Sequence, residues 1–140
     1  MGKLKKIGLV VMIIFYLVAG FNHFYNPPSY LKIIPDYMPF PKIINLSAGF
    51  FELCFAIMLI FPKTRWLAAW GIILMLVAFL PVHIKMVKDA PFLLGGSITV
   101  TPFIAWVRLV LLQPLLILWA WWYTGSVKSW LGWIRWVVVI

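Results

Sequence analysis

Four apolar runs, punctuated by prolines and basic residues, set the pattern of this chain. Residues 42–61, KIINLSAGFFELCFAIMLIF, show it best. The run is long enough to cross a bilayer, which takes about 20 residues, and it holds a single acid, Glu52, near its centre. Asn45, Gly49, Glu52 and Ala56 recur at i, i+4, i+7 and i+11, so they share one helical stripe, while Phe50, Phe51, Leu53, Phe55 and Ile57 cover the rest of the circumference. The small and polar stripe is expected to face protein, and the bulky faces lipid or neighbouring helices. An ionisable group at mid-depth is costly, and it marks either a functional interior or a polar clasp between helices.

The other runs predict helices over about 4–24, 66–86 and 102–123, so the expected elements are four membrane spans in one domain covering 1–140. In the first span Tyr16, Ala19, Gly20 and His23 fall on one face, which should look inward. Lys3, Lys5 and Lys6 ahead of this run imitate a signal peptide. Further spans follow, however, and the polar pair Asn22 and His23 closes the run, so the first span is read as a retained anchor. Residues 26–41, NPPSYLKIIPDYMPFP, hold half of the ten prolines and cannot be one helix. They read as an outer connection with structure of its own, either a lid or a stiffened loop with interfacial anchors, in which Ser29 could cap a helical turn over 30–33. The short PKTR link at 62–65 forces the second and third spans to run antiparallel as neighbours. Pro81 interrupts the third span beside His83, and residues 88–101 read as a connection, with no more than a local extended piece at 98–101. The tail, 128–140, is too short to span; it places Trp130, Trp133, Ile134 and Val137 on one face and is expected to lie along the membrane surface.

Composition agrees with this reading. At 65% hydrophobic, 11% charged and a mean hydropathy of +1.05, the chain has too little polar surface for a soluble globule and reads as an all-α integral membrane protein. The net charge of +9 does not imply nucleic-acid binding, because the twelve Lys and Arg lie mostly at the ends of apolar runs, where they act as topology signals. One cysteine, Cys54, allows no internal disulfide, redox pair or cysteine metal cluster. With four spans both termini share a side. Assigning that side to the cytoplasm puts seven basic residues inside (Lys3, Lys5, Lys6, Lys63, Arg65, Lys128, Arg135) against four outside (Lys32, Lys42, Lys85, Lys88).

The fourth span carries Arg108 and Gln113, with Pro114 bending the helix just afterwards, and Arg108 is the natural counter-charge for Glu52. Glu52 lies about 15 Å and Arg108 about 9 Å into the membrane by helical rise, a difference an arginine stem can bridge. The two are expected to meet as the polar floor of an outward-opening cavity, with Asn22, His23 and His83 at its mouth. Tyr16 and Gln113 complete the candidate ligand-binding set. No metal site is expected, because Glu52 should sit well below both histidine rings.

Ala19-Gly20 followed by His23-Phe24, then Pro28, Tyr30, Pro35 and Pro39, Gly49 and Glu52, and Arg65 before Ala68, Ala69, Trp70 and Gly71 form an ordered combination. In these motifs the chain resembles DoxX-like membrane proteins over nearly its whole length. The resemblance implies a compact four-helix membrane bundle, and similarity to proteins associated with sulfur and quinone redox complexes and, more distantly, to receptor-assembly chaperones of neurons. Many such proteins have no assigned activity. Two departures stand out. His83 stands where Asn is expected after Pro81-Val82, and Arg108 and Gln113 are five residues apart where four is familiar. At five apart the side chains diverge by about 140° on a regular helix, so a shared site needs a local bulge, placed by the sequence near Pro114.

Three functions follow as expectations. The first is a small non-catalytic module of the bacterial cytoplasmic (plasma) membrane that binds a lipid-like or quinone-like molecule, or a partner subunit, in its polar interior, as a monomer or homo-oligomer. The second is the membrane subunit of a quinone-linked redox complex, in which a partner supplies the electrons because the chain has no cofactor motif of its own. A proton-coupled transporter is the third, and four helices without an evident repeat support it least. The charge distribution predicts that a reporter fused after Trp136 will be active only on the cytoplasmic side; activity confined to the outer side would reverse the topology.

Overall fold

A computed structural model describes residues 1–125; the expected tail helix at 128–140 lies outside them. The chain is mainly helical. Helix α1 spans Lys3–Tyr25, α2 Pro27–Leu31, α3 Pro41–Ile60, α4 Arg65–Ala78 and α5 Leu80–Asp89. Strands β1 (Phe92–Leu94) and β2 (Ile98–Val100) follow, then α6 (Pro102–Val107), a π-helical turn (Arg108–Leu112) and α7 (Gln113–Trp121). Helices α4 and α5 continue one another across Phe79, as α6 and α7 do through the π turn. Among the described residues four helical stretches are therefore long and apolar enough to cross a membrane: Lys3–Tyr25, Pro41–Ile60, Arg65–Asp89 and Pro102–Trp121.

Local chemistry sets the boundaries. Pro27, Pro41 and Pro102 stand in the first turn of their helices, where a missing N–H costs nothing and the fixed φ is already helical. Thr101 caps α6 by accepting from the Ile104 N–H at 3.3 Å. At the other end of α3, the tight turn caps the free carbonyls with its own side chains. Thr64 Oγ1 donates to Met58 O at 2.8 Å, and Arg65 Nε and Nη2 donate to Leu59 O and Ile60 O at 2.9 and 3.2 Å. Arg65 thereby acts as a helix clasp as well as a basic residue of the turn.

Helix α1 packs along α3, α3 against α4, and α4 against α7, so the four long stretches follow chain order around the bundle. The α1–α3 crossing is the closest. A Cβ on Gly20 would stand 3.0 Å from Gly49 O, and one on Gly49 would stand 2.9 Å from Gly20 O and 2.6 Å from His23 Cβ, so the two backbones touch. Only glycine allows this approach. The main core lies toward the α3–α4 turn and gathers Leu9, Met12, Leu59, Ala68, Ile72 and Ala120. Helices α1 and α7 close on each other at that end, where Tyr123 Oη donates to Lys5 O at 2.9 Å. At the opposite end a smaller cluster of Met86, Val100 and Ala105 packs with Ile33 and Phe92.

Two connections differ from the sequence reading. Ser29 does not cap a turn; it lies inside α2, which starts earlier because Pro27 and Pro28 preset helical φ after Asn26. Within the connection at 88–101, residues 92–100 form an antiparallel hairpin, with Phe92 opposite Val100 and Leu94 opposite Ile98. Its turn uses Gly95 and Gly96 at φ +62° and +81°, a region open to glycine. The hairpin holds the Pro-rich connection in place: Lys32 Nζ donates to Leu93 O at 2.6 Å, and Lys85 Nζ donates to Lys32 O at 3.2 Å while facing Asp36 and Asp89 carboxylates at 3.5 Å.

Because the Gly20–Gly49 crossing leaves no room for a methyl group, Gly49→Ala is expected to destabilise the protein by about 1–3 kcal/mol. Thermal unfolding in detergent checks this, and an unchanged midpoint would show that the helices separate at no cost.

Candidate functional site

Between the main core and the Pro-rich connection the bundle encloses a cavity of about 370 Å³. Its walls are mostly apolar, with Phe15, Ala19, Ile44, Ala48, Leu76 and Leu116 among them. Into it also face Tyr16 and His23 from α1, Asn45 and Glu52 from α3, His83 from α5, Arg108 from the π turn and Gln113 from α7. Six of the seven sequence-derived site residues thus share one cavity.

Asn22 is the exception. It lies outside, beside Phe21, Tyr25 and Leu53, and its Nδ2 donates to Tyr30 Oη at 2.8 Å. That bond helps to hold a roof. Tyr30 stacks on the His23 ring with centroids 3.7 Å apart, and Tyr30, Ile33, Ile34 and Met38 cover the end of the cavity where an open mouth was expected. His23 and His83 are consequently buried wall residues and do not form a rim. Burial pushes the Tyr30 hydroxyl above its ordinary pKa, against the lowering effect of the Asn22 bond.

The expected Glu52–Arg108 ion pair is replaced by another. Among the described residues the partner of Glu52 is His23, with Nε2 and Oε2 3.4 Å apart. The backbone contact at Gly20 and Gly49 explains it, because it carries His23 of α1 to the flank of α3 just above Glu52. Arg108 faces the same cavity, but no carboxylate lies within ion-pair distance of it among the described residues.

Asn45 fixes the chemistry of this pair. Its Nδ2 donates to His23 O at 3.0 Å, which orients the amide and leaves Oδ1 to accept from His23 Nδ1 at 2.7 Å. With Nδ1 committed as a donor, Nε2 is the ring nitrogen turned toward the Glu52 carboxylate. Asn45 was legible as part of the polar stripe of α3, but its role as the histidine's orienter depends on the crossing of two helices.

The π turn resolves the five-residue spacing of Arg108 and Gln113. Pro114 has no N–H to offer Val110, and the helix absorbs the defect by widening the preceding turn, so that Gln113 N–H bonds to Arg108 O. Both side chains then face the cavity. The buried Gln113 uses its Nε2 to cap Leu76 O at 2.6 Å, a carbonyl next to the break between α4 and α5. It clamps the third long stretch to the fourth. Of the cavity's buried polar atoms, Tyr16 Oη and His83 Nδ1 lack a hydrogen-bond partner, and Glu52 Oε2 has only the 3.4 Å contact with His23. Native interiors seldom leave such atoms unmatched, so a cavity lined by them suits a guest with a polar group.

A family model described as a domain of unknown function (DUF8561) matches residues 12–124. The match takes in every cavity residue from Phe15 to Leu116. No curated protein and no solved structure matches the chain.

The geometry predicts how substitutions couple. In a double-mutant cycle, His23→Gln with Glu52→Gln should give an interaction energy above about 0.5 kcal/mol, whereas Glu52→Gln with Arg108→Gln should be additive to within about 0.5 kcal/mol. Denaturant or thermal unfolding measures both. The reverse ranking would restore the Glu52–Arg108 clasp.

Proposed function

The chain belongs to the DUF8561 family, whose description carries no activity, and from its site we propose that it is a four-span membrane protein that binds a lipid-like or quinone-like molecule in its central cavity. The four long apolar stretches and their exposed side chains, such as Val18, Phe50, Leu74 and Val110, support placing it in a bilayer. The distribution of basic residues supports the cytoplasmic (plasma) membrane with both termini inside. The observation that carries the binding reading is the cavity itself: apolar walls, the unmatched Tyr16 Oη and His83 Nδ1, and a cation with no carboxylate within ion-pair distance among the described residues. A site that is mainly apolar with a few convergent polar groups is the usual form of a small-molecule pocket, and about 370 Å³ lies within the common range of roughly 300–1,000 Å³.

The His23–Glu52 pair favours a second reading, a membrane subunit of a quinone-linked redox complex. The two side chains line the cavity and can exchange protons with a bound quinone while a partner protein handles electrons. The resemblance to DoxX-like proteins supports both readings.

Filling the cavity tests the proposal. Ala48 is buried on α3 and lines the space, so Ala48→Phe should occupy it while leaving the outer surface unchanged. Extraction in native membrane patches, followed by mass analysis of small molecules, should find a molecule in near-stoichiometric amount with the natural protein and lose at least half of it in a folded Ala48→Phe protein. Equal recovery from both would place the bound molecule elsewhere.

A further inference from the structure

The charge balance of the cavity identifies the class of guest. Were Glu52 the counter-ion of Arg108, the interior would be neutral and would suit a neutral head group. The carboxylate instead lies against His23, whose ring Asn45 holds in place. His83 and Tyr16 add polar atoms without a partner, and Gln113 has committed its amide N–H to Leu76 O. Arg108 is left as the uncompensated charge facing the cavity among the described residues. A guanidinium stays charged at any ordinary pH, and a lone charge at membrane depth is costly.

The bundle also leaves a way in. The roof closes the end beneath Tyr30, Ile33, Ile34 and Met38, and the main core closes the opposite end. Helices α1 and α7 meet near the core, at Tyr123 and Lys5, but α1 does not pack closely along α6 and the π turn. Phe15 on one side of this seam and Arg108 on the other are both exposed while lining the cavity. The opening therefore faces sideways, at the level of the apolar surface.

Resting on the cavity-binding proposal above, we infer that the guest is a single-chain amphiphile with an anionic head group, a carboxylate or a phosphate monoester. The head lies against Arg108, with Tyr16 Oη and His83 Nδ1 within the same cavity, and the chain leaves between Phe15 and the π turn. Arg108 presents a planar fork of donors suited to either anion.

Native mass spectrometry on the full-length protein released from a neutral detergent tests this by counting molecules bound per chain. The probes are dodecanoate, dodecyl phosphate, dodecanol, acetate and inorganic phosphate. The expected result is one dodecanoate or dodecyl phosphate per chain, held about tenfold or more tighter than dodecanol, with acetate and inorganic phosphate not retained. Arg108→Gln should bring the acids down to the affinity of the alcohol, and Arg108→Lys should keep part of the preference. Lys63→Gln, which removes an exposed cation from the far turn, should keep all of it. Equal binding of dodecanol and dodecanoate by the natural protein overturns the anionic assignment while leaving the cavity-binding proposal standing. Retention of inorganic phosphate as tightly as dodecyl phosphate overturns the amphiphile. Should none of the chain-bearing probes bind, the cavity-binding proposal fails and this inference with it. The comparison of acid with alcohol in the natural protein decides the matter even if Arg108→Gln does not fold.

Discussion

The contact between the backbones of α1 and α3 at Gly20 and Gly49 is the constraint on which the site depends. Two helices bearing side chains at those positions would stand further apart, and His23 would lose both Asn45 and Glu52. With the helices in contact, one asparagine makes two hydrogen bonds across the crossing and sets the direction of the histidine ring. A packing feature made of two absent side chains thus decides the electrostatics of a cavity formed by four helices.

The rest of the bundle serves the same end by placing its defects where they are useful. Pro81 and Pro114 each remove a helical hydrogen bond, and both lie beside the cavity. One defect widens a turn and brings Arg108 and Gln113 to the same side; the other accompanies the break in the third stretch, where Gln113 satisfies Leu76 O. Polar backbone exposed by one irregular helix is matched by a side chain that the other irregular helix presents. Away from the cavity the outward faces of the helices are mainly apolar, with the exposed lysines Lys3, Lys6 and Lys42 at their ends.

Much of this was legible in the sequence because it depends on short-range spacing. The four long helices, the inward stripe of Asn45, Gly49, Glu52 and Ala56, and the need for a bulge between Arg108 and Gln113 all follow from helical periodicity. The pairing of Glu52 was not legible: helical rise set it well below both histidine rings and left Arg108 as the counter-charge, whereas the close crossing at Gly20 and Gly49 brings His23 to it. The hairpin was missed for another reason: three-residue strands carry too little alternation to register, although Gly95-Gly96 marked its turn. Asn22 was assigned to the mouth by its depth alone, whereas its direction around α1 turns it away from the cavity and toward Tyr30.

The attachments of the roof and of the polar cluster beneath it differ in kind. Lys85 joins the roof to α5 through Asp36, which is almost wholly exposed, and through the Lys32 carbonyl. Ion pairs at such a surface are screened within about 8–10 Å at ordinary ionic strength. The contacts among His23, Asn45 and Glu52 are buried inside the bundle and scarcely sense the counter-ions outside. Ionic strength therefore acts unequally on the two layers: rising salt loosens the outer attachment of the roof and leaves the polar cluster beneath Tyr30 as it was.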